Sequence, residues 1–305
     1  MSTSFAEQLS NNLAELLARN AASVVSVHCR RTPTSGAVWS SEGLILVTAH
    51  ALEREDDLAV TVDGGARFPA KLLGRDAGTD LALLALDGGG SLPTLMPTPF
   101  AEASDVRVGH LLLTISRPGR SARGNLSMLA ALGDSWRSPS GGRIDRYVEL
   151  GTGVFTGLSG SLVVAMNGQA IGIATAGLVR GTATLLPTAT LRRVVEALRA
   201  QGRVKRGYLG VSSHPVRLGT EQASALGQPT ALLVLSVHPE SPAGKAGLLL
   251  GDAILSFDGQ KLGHPQELLA LLDEEKVGTD ATIRILRAGV PIDVRCRIGT
   301  REETA

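Results

Sequence analysis

What most restricts the folding of this chain is the shortness of its apolar runs between residues 23 and 187. SVVSVHC, GAVWS, GLILVTA, DLAVTVDG, FPAKLLG, DLALLAL, HLLLTIS, YVEL, SLVVAMNGQAIGIATAG and ATLLP succeed one another, separated by Gly, Pro, Asp and Ser. Such runs are too short for ordinary helices and read as strands joined by turns. Many short strands in a row predict a β-barrel or β-sandwich. MNGQ at 166–169 reads as an Asn-Gly hairpin turn between two of them.

The flanks have a different texture. Phe5, Leu9, Leu13, Leu16 and Leu17 recur at spacings of three and four, and Ser4 with Glu7 forms a capping-box pattern, so residues 1–22 are expected to hold an amphipathic helix. LRRVVEALRAQG reads as a second helix, opened by Pro187-Thr188 and closed by Gly202. GRVKRG (202–207) is the expected linker. Beyond it, YLGV, ALLVLSVHPESPAGKAGLLLGDAILSFDGQKL, PQELLALLDEE, ATIRILRAG and VPIDVRCRI mix strand and helix patterns, with FDGQ (257–260) as a hairpin turn. The expected division is therefore a helix at 1–22, a β-domain at 23–201, a linker, and an α+β module at 208–300.

Several function classes can be set aside. Hydrophobic residues make up 43% and charged residues 19%, a globular composition. Thirty basic against twenty-nine acidic residues leave a net charge of +1, which offers nothing to nucleic acid or an anionic membrane. Cys29 and Cys296 lie near opposite ends without ligand spacing, so neither a metal site nor a disulfide framework is expected, and no cofactor is implied. No uncharged stretch is long enough to span a bilayer. MSTSFAEQLSNNLAELLARN has neither a basic n-region nor an unbroken apolar h-region, so no signal peptide is read and the expected location is the cytoplasm, or the periplasm if the sequence was trimmed.

TGLSGSLV (156–163) sets a small serine, Ser159, between glycine-flanked turns. A serine attacks a carbonyl only when a base takes its proton and donors stabilise the oxyanion. His50 ends the apolar run LILVTAH, and Asp80 precedes the apolar run LALLAL. The order is His, Asp, Ser, each at a strand edge, and GLSGS does not fit the G-x-S-x-G elbow of α/β-hydrolases. His28, His110, His214, His238 and His264 show no paired spacing and read as structural or exposed.

With their flanks, these segments resemble the HtrA (DegP-like) family of chymotrypsin-fold serine proteases that carry a C-terminal PDZ domain. SGAVWSSEGLILVTAHAL is similar to its histidine segment, RDAGTDLALLAL to its aspartate segment, and YVELGTGVFTGLSGSLVVAMNGQAIGIATAG to its serine segment. TLLPTATLRRVVEAL resembles the helix that closes the protease domain. YLGV resembles the carboxylate-binding loop, and SPAGKAGLLLGDAILSFDGQKL a PDZ signature. The resemblance implies a mainly β protein, with a double six-stranded β-barrel followed by an α+β PDZ domain. It also implies His50 as general base, Asp80 as its orienting partner, Ser159 as nucleophile, and the N–H groups of Gly157 and Ser159 as the oxyanion hole. Tyr208, Leu209, Gly210 and Val211 would receive the carboxylate of a hydrophobic C-terminus, with Leu209 and Val211 lining the pocket for its last side chain.

An ATP-independent endopeptidase of unfolded polypeptides follows from the resemblance, assembled as a homotrimer and preferring small to medium aliphatic P1 residues, with Arg180 turned to solvent. The chain departs from the family where Leu158 stands for the usual Asn before the serine, where Ser161 and Leu162 follow the SG, and where LGTGV replaces an Asp- or Asn-containing stretch. Those departures sustain an alternative, a weak or inactive relative acting as a binding or chaperone-like protein.

Overall fold

The computed structural model describes residues 4–29, 32–88, 93–97, 99–102 and 105–300. The chain divides into two compact units, residues 1–204 and 205–305. Helix α1 (Phe5–Asn20) starts at the anticipated capping box: Ser4 Oγ accepts from the Glu7 N–H at 3.3 Å, and Glu7 Oε2 accepts from the Ser4 N–H at 2.8 Å. Leu16 is buried, with Leu13 and Leu17 packed beside it, whereas Phe5 is 81% exposed. The apolar stripe drawn from the sequence outruns the surface that covers it.

Strands β1 (Val24–His28), β2 (Thr34–Val38), β3 (Leu44–Thr48), β4 (Leu58–Thr61), β5 (Arg67–Asp76) and β6 (Leu81–Leu86) close a barrel in the order β1-β2-β3-β6-β5-β4. The runs LILVT and LALLAL are buried nearly throughout because alternate residues serve two cores. Val25, Ile45, Val47, Ala82 and Leu84 fill the barrel, while Leu44, Leu46, Leu81 and Leu83 join the cluster that contains Leu191, Val194 and Leu198.

A second barrel follows from β7 (Leu111–Ser116) and β8 (Arg123–Gly133), past the small hairpin β9 (Trp136–Arg137) and β10 (Arg143–Ile144), to β11 (Tyr147–Leu150), β12 (Leu162–Ala165), β13 (Ala170–Thr175) and β14 (Thr184–Pro187). It closes in the order β11-β14-β13-β12-β7-β8. The β12–β13 turn forms where MNGQ stands, but Gly168 alone takes a positive φ (+90°) and donates to the Ala165 carbonyl at 2.8 Å, so the loop is longer than a two-residue Asn-Gly turn. Helix α2 (Thr188–Gln201) ends at Gly202, whose φ of +70° lets its N–H reach the Leu198 carbonyl at 2.9 Å.

A buried cation lies inside this unit. The Arg117 side chain, 4% exposed, donates to the carbonyls of Val24 (2.7 Å), Ala21 (2.9 Å) and Arg120 (2.7 Å) and to Asp63 Oδ1 (2.7 Å). A buried cation is tolerable only when so fully partnered.

In the second unit, β15 (Gly207–Tyr208) pairs with β22 (Gly299–Thr300) at the two ends of the fold. Between them, β16 (Val211–Arg217), β17 (Thr230–Val237), β18 (Ala253–Phe257), β19 (Gln260–Lys261), β20 (Asp280–Arg287) and β21 (Val290–Arg297) form one sheet, in the order β16-β17-β18-β20-β21 with β19 on β18. Asp258 (φ +48°) and Gly259 (φ +79°) make the anticipated FDGQ turn between β18 and β19. Helices α3 (Thr220–Leu226), α4 (Pro242–Lys245) and α5 (Pro265–Leu271) accompany the sheet, and α5 packs beside β16.

Strand β16 is an edge strand, paired with β17 on one side only. Leu218 N–H donates to the Pro229 carbonyl at 2.9 Å, which fixes the alternation: residues 214 and 216 point their backbone groups at β17, and Pro215 faces the open edge. An outward-facing edge position is where a strand proline costs no ladder bond.

Candidate active site

The first barrel delivers His50 and Asp80 from adjacent strand ends. β3 runs into a single 3₁₀ turn (Ala49–Ala51) that carries His50, while Asp80 sits immediately before β6 with φ +57°. A non-glycine residue in the left-handed region is uncommon and is held there by its surroundings. Here Asp76 braces the loop, accepting from the Gly78 N–H (3.3 Å), the Thr79 N–H (3.1 Å) and the Thr79 hydroxyl (2.6 Å). Ser138, on the β9–β10 hairpin, donates to the Gly78 carbonyl at 2.6 Å. Asp80 Oδ1 accepts from the His50 backbone N–H at 2.9 Å, and its two oxygens lie 2.8 and 3.0 Å from His50 Nδ1.

The second barrel contributes the segment Thr175–Gly177 at the end of β13, against which all three predicted side chains gather. The Thr175 hydroxyl donates to Asp80 Oδ2, and the Ala176 N–H donates to Ser159 Oγ at 3.2 Å. Gly177 lies so close to the pair that a Cβ there would sit 2.5 Å from both Asp80 Oδ2 and His50 Nδ1. Only glycine fits. Among the described residues, the Ser159 hydroxyl bonds to the Ala176 N–H and not to His50.

The loop before Ser159 is a tight turn. The Leu158 N–H donates to the Phe155 carbonyl at 3.1 Å, and Gly157 has φ +91°, the positive third-position angle of a type II turn. The carbonyls of residues 157–159 are taken: Leu158 C=O by the Ser161 N–H (2.9 Å), Ser159 C=O by Thr34 Oγ1 (3.2 Å), and Gly157 C=O by Ser35 Oγ (2.9 Å) and Ser161 Oγ (2.8 Å). Among the described residues, the N–H groups of Gly157 and Ser159 have no acceptor within the chain. Two unclaimed backbone donors beside a serine hydroxyl can stabilise an oxyanion. Leu158, the departure that raised the alternative of an inactive relative, is fully buried among Val106, Leu112, Leu150 and Val163, so an apolar contact anchors the turn to the second barrel. Arg180 is exposed, and no acidic residue occurs in 151–158 or 176–183.

Tyr208–Val211 in the second unit repeats part of this design. Gly210 has φ +82°, and a Cβ there would lie 2.1 Å from Ser241 Cβ. The Leu209 carbonyl accepts from the Ala243 N–H and the Gly210 carbonyl from the His238 N–H, both at 2.9 Å. Among the described residues, the Leu209 and Gly210 N–H groups have no acceptor, and they open onto the head of edge strand β16. The Leu209 side chain is enclosed by the core, and Val211 is half-buried. Asp252 secures the neighbouring loop, accepting from Arg287 Nε (2.8 Å) and from the Leu249 N–H (2.8 Å). Burial works to raise its carboxyl pKa, but the Arg287 and Leu249 hydrogen bonds and the guanidinium charge prevail and hold it below the usual carboxylate range.

Nothing in the sequence marks Thr34, Ser35 or Arg117 as neighbours of the site, whereas Thr175 and Gly177 fall in the ATAGLVRG stretch that the family resemblance places at the recognition pocket. IATAG was legible as a stretch near the serine segment, but nothing in it marks Thr175 as the partner of Asp80.

Two antiparallel six-stranded barrels, with a histidine, a carboxylate and a serine meeting where they adjoin, followed by a sheet with a glycine-turned loop at its edge strand, define a trypsin-like peptidase fold joined to a PDZ fold. Residues 34–173 match the model of the trypsin-like peptidase domain, and residues 207–298 that of the PDZ domain. A probable periplasmic serine protease do/HhoA-like of Haemophilus influenzae is 31% identical over 265 residues, covering 85% of this chain and 56% of the relative. A probable periplasmic serine endoprotease DegP-like of Halomonas elongata is 28% identical over 276 residues, covering 88% and 57%. The chain thus spans just over half the length of these curated relatives. Among solved structures, the serine endoprotease from Yersinia pestis superposes with a TM-score of 0.73 at 26% identity, covering 99% of this chain and all of that one. The HtrA-type protease AlgW with tripeptide gives 0.71 at 26%, covering 95% and 97%.

The chain belongs to the HtrA (DegP-like) family. Both curated relatives are named as periplasmic and lend no support to the cytoplasmic location expected from the N-terminus.

Proposed function

We infer that this chain is a serine endopeptidase acting on unfolded polypeptides through an acyl-enzyme on Ser159. The observation that carries this reading is the convergence of Asp80, Ser159 and His50 on Thr175, Ala176 and Gly177 in turn, beside the unclaimed N–H groups of Gly157 and Ser159. Asp80 accepts the Nδ1 proton of His50, which leaves Nε2 as the basic nitrogen. Ser159 swings its hydroxyl from the Ala176 N–H to Nε2 and gives up its proton as Oγ attacks the scissile carbonyl. The developing oxyanion is met by the Gly157 and Ser159 N–H groups. His50 then protonates the leaving amine, and a water, deprotonated by His50 in its turn, releases the acyl group.

The exposed Arg180 and the lack of acidic residues in 151–158 and 176–183 favour uncharged aliphatic P1 side chains over Lys or Arg. In the second unit, a peptide's C-terminal carboxylate accepts from the Leu209 and Gly210 N–H groups while its last residues extend the sheet at β16. The relatives favour a periplasmic location, and the exposed Phe5 on α1 suits the family's homotrimer.

The test is degradation of a casein-like unfolded protein by the wild type and by Ser159→Ala, with and without peptides ending in hydrophobic residues. Cleavage and fluorophosphonate labelling present in the wild type and absent from the variant are expected, with stimulation by the peptides. A folded wild type that neither cleaves nor labels would return the binding-protein reading. Light scattering after size exclusion reads the oligomer.

A further inference from the structure

We propose that Ser161 and Ser35 are positioning residues, a pair of buried hydroxyls that clamp the Gly157 carbonyl and so fix the turn that presents the oxyanion donors. The inference rests on the reading of Ser159 as nucleophile and adds to it a determinant that lies in this chain's own departure from the family after the SG, at Ser161.

Both lone pairs of the Gly157 carbonyl are engaged, by Ser35 Oγ at 2.9 Å and Ser161 Oγ at 2.8 Å, and both serines are completely buried. The direction of the Ser35 proton is not arbitrary. Ser35 Oγ accepts from the Arg117 backbone N–H at 3.0 Å, so its own hydrogen is committed to Gly157. Arg117 is in turn fixed by its buried guanidinium, which binds Asp63 and the carbonyls of Ala21 and Val24. A continuous set of polar contacts therefore runs from the first barrel to the peptide unit between Gly157 and Leu158.

That peptide unit is held at both ends, since its N–H donates to the Phe155 carbonyl. It is the frame from which the Gly157 N–H is aimed on one side and the Ser159 N–H on the other. Removing a hydroxyl leaves a buried carbonyl short of a partner and frees the frame to tilt. Oxyanion donors act only when aimed beforehand, so the loss falls on the transition state and spares substrate binding.

The experiment compares Ser161→Ala, Ser35→Ala and the double variant with the wild type, reading kcat and KM separately, inhibition by a peptide boronate that mimics the tetrahedral state, and Tm. Each single variant is expected to lower kcat about tenfold with KM held within about twofold, and to weaken the boronate in parallel. Ser161→Thr, which keeps the hydroxyl, is expected to retain kcat. If Ser161→Ala fails to fold, the folded Ser161→Thr and Ser35→Ala variants decide the matter, because a tenfold loss of kcat in the first or wild-type kcat in the second overturns the clamp. Wild-type kcat in both alanine variants, or a change confined to KM, likewise overturns it. A wild type that fluorophosphonate does not label fells the reading of Ser159 and the clamp with it. A labelled wild type beside an unaffected Ser161→Ala fells the clamp alone.

Discussion

The loops at 155–160 and 208–211 solve the same problem with different materials. Each turns on a left-handed glycine, Gly157 or Gly210, and each leaves two backbone N–H groups without an acceptor among the described residues. In the second unit the loop carbonyls are held by main-chain donors, from Ala243 and His238. In the first unit they are held largely by side-chain hydroxyls, from Thr34, Ser35 and Ser161. A loop tied through backbone is indifferent to the residue types that tie it. One tied through hydroxyls is only as rigid as three particular side chains make it, so its stiffness can be retuned by single substitutions.

The sharpest way to break this contrast is at the glycines. Gly160→Ala would place a Cβ 1.9 Å from the Ser35 carbonyl oxygen at φ +82°, with no flexible side chain to yield. A loss of about 3 kcal/mol or more in denaturant unfolding of the first unit is expected, with cleavage abolished. A smaller loss is expected in the second unit from Asp252→Ala, about 2 kcal/mol, because it removes the acceptor of the Leu249 N–H and of the Arg287 guanidinium, which is 34% exposed.

Asp252 also gives that unit a pH signature. Its carboxyl titrates lower in the folded state than in the unfolded chain, so its stabilisation is complete above the ordinary carboxylate range and disappears as pH falls through the folded value. Thermal scans should show the second unit weakening below about pH 4 in the wild type and less steeply in Asp252→Ala.

Thr175→Val removes the hydroxyl bound to Asp80 and is expected to lower kcat about tenfold while leaving Tm within a few degrees. Gly210→Ala should weaken binding of a peptide with a free hydrophobic C-terminus about tenfold or more by calorimetry, through the 2.1 Å approach to Ser241. Ser241→Ala sharpens the comparison from the other side. Its hydroxyl caps α4, accepting from the Gly244 N–H at 3.2 Å, but holds no carbonyl of the 208–211 loop. A loss of about 1 kcal/mol in stability with peptide affinity unchanged is expected. If affinity fell along with stability, the second loop would depend on side chains after all.

The strands were legible because each is marked by its own breakers, and His50, Asp80 and Ser159 because each stands at a strand edge, whereas the closure of the strands into two barrels came with the family resemblance and not with the strand pattern, which fits a sandwich as well. It could not reveal Ser35 as a partner of Gly157. The two are 122 residues apart and belong to different barrels, and a serine in TSGAV has no local feature that separates it from any other strand serine. Arg117 was equally silent, since an arginine before a proline reads as surface until its four acceptors are seen. Leu158 was conspicuous as a departure, yet its meaning lay in the second barrel's core, which no local pattern displays.

Pro215 has a bearing on the life of the free protein. Strand β16 leaves a row of backbone groups open at the rim of its sheet, and such a row invites any extended chain, a second copy included, to zip on. Because Pro215 points at that rim without an N–H, the template is finite: an added strand could find partners near Val211 but would lose one at residue 215. The open seam of this sheet is thereby kept short by a residue of the strand itself.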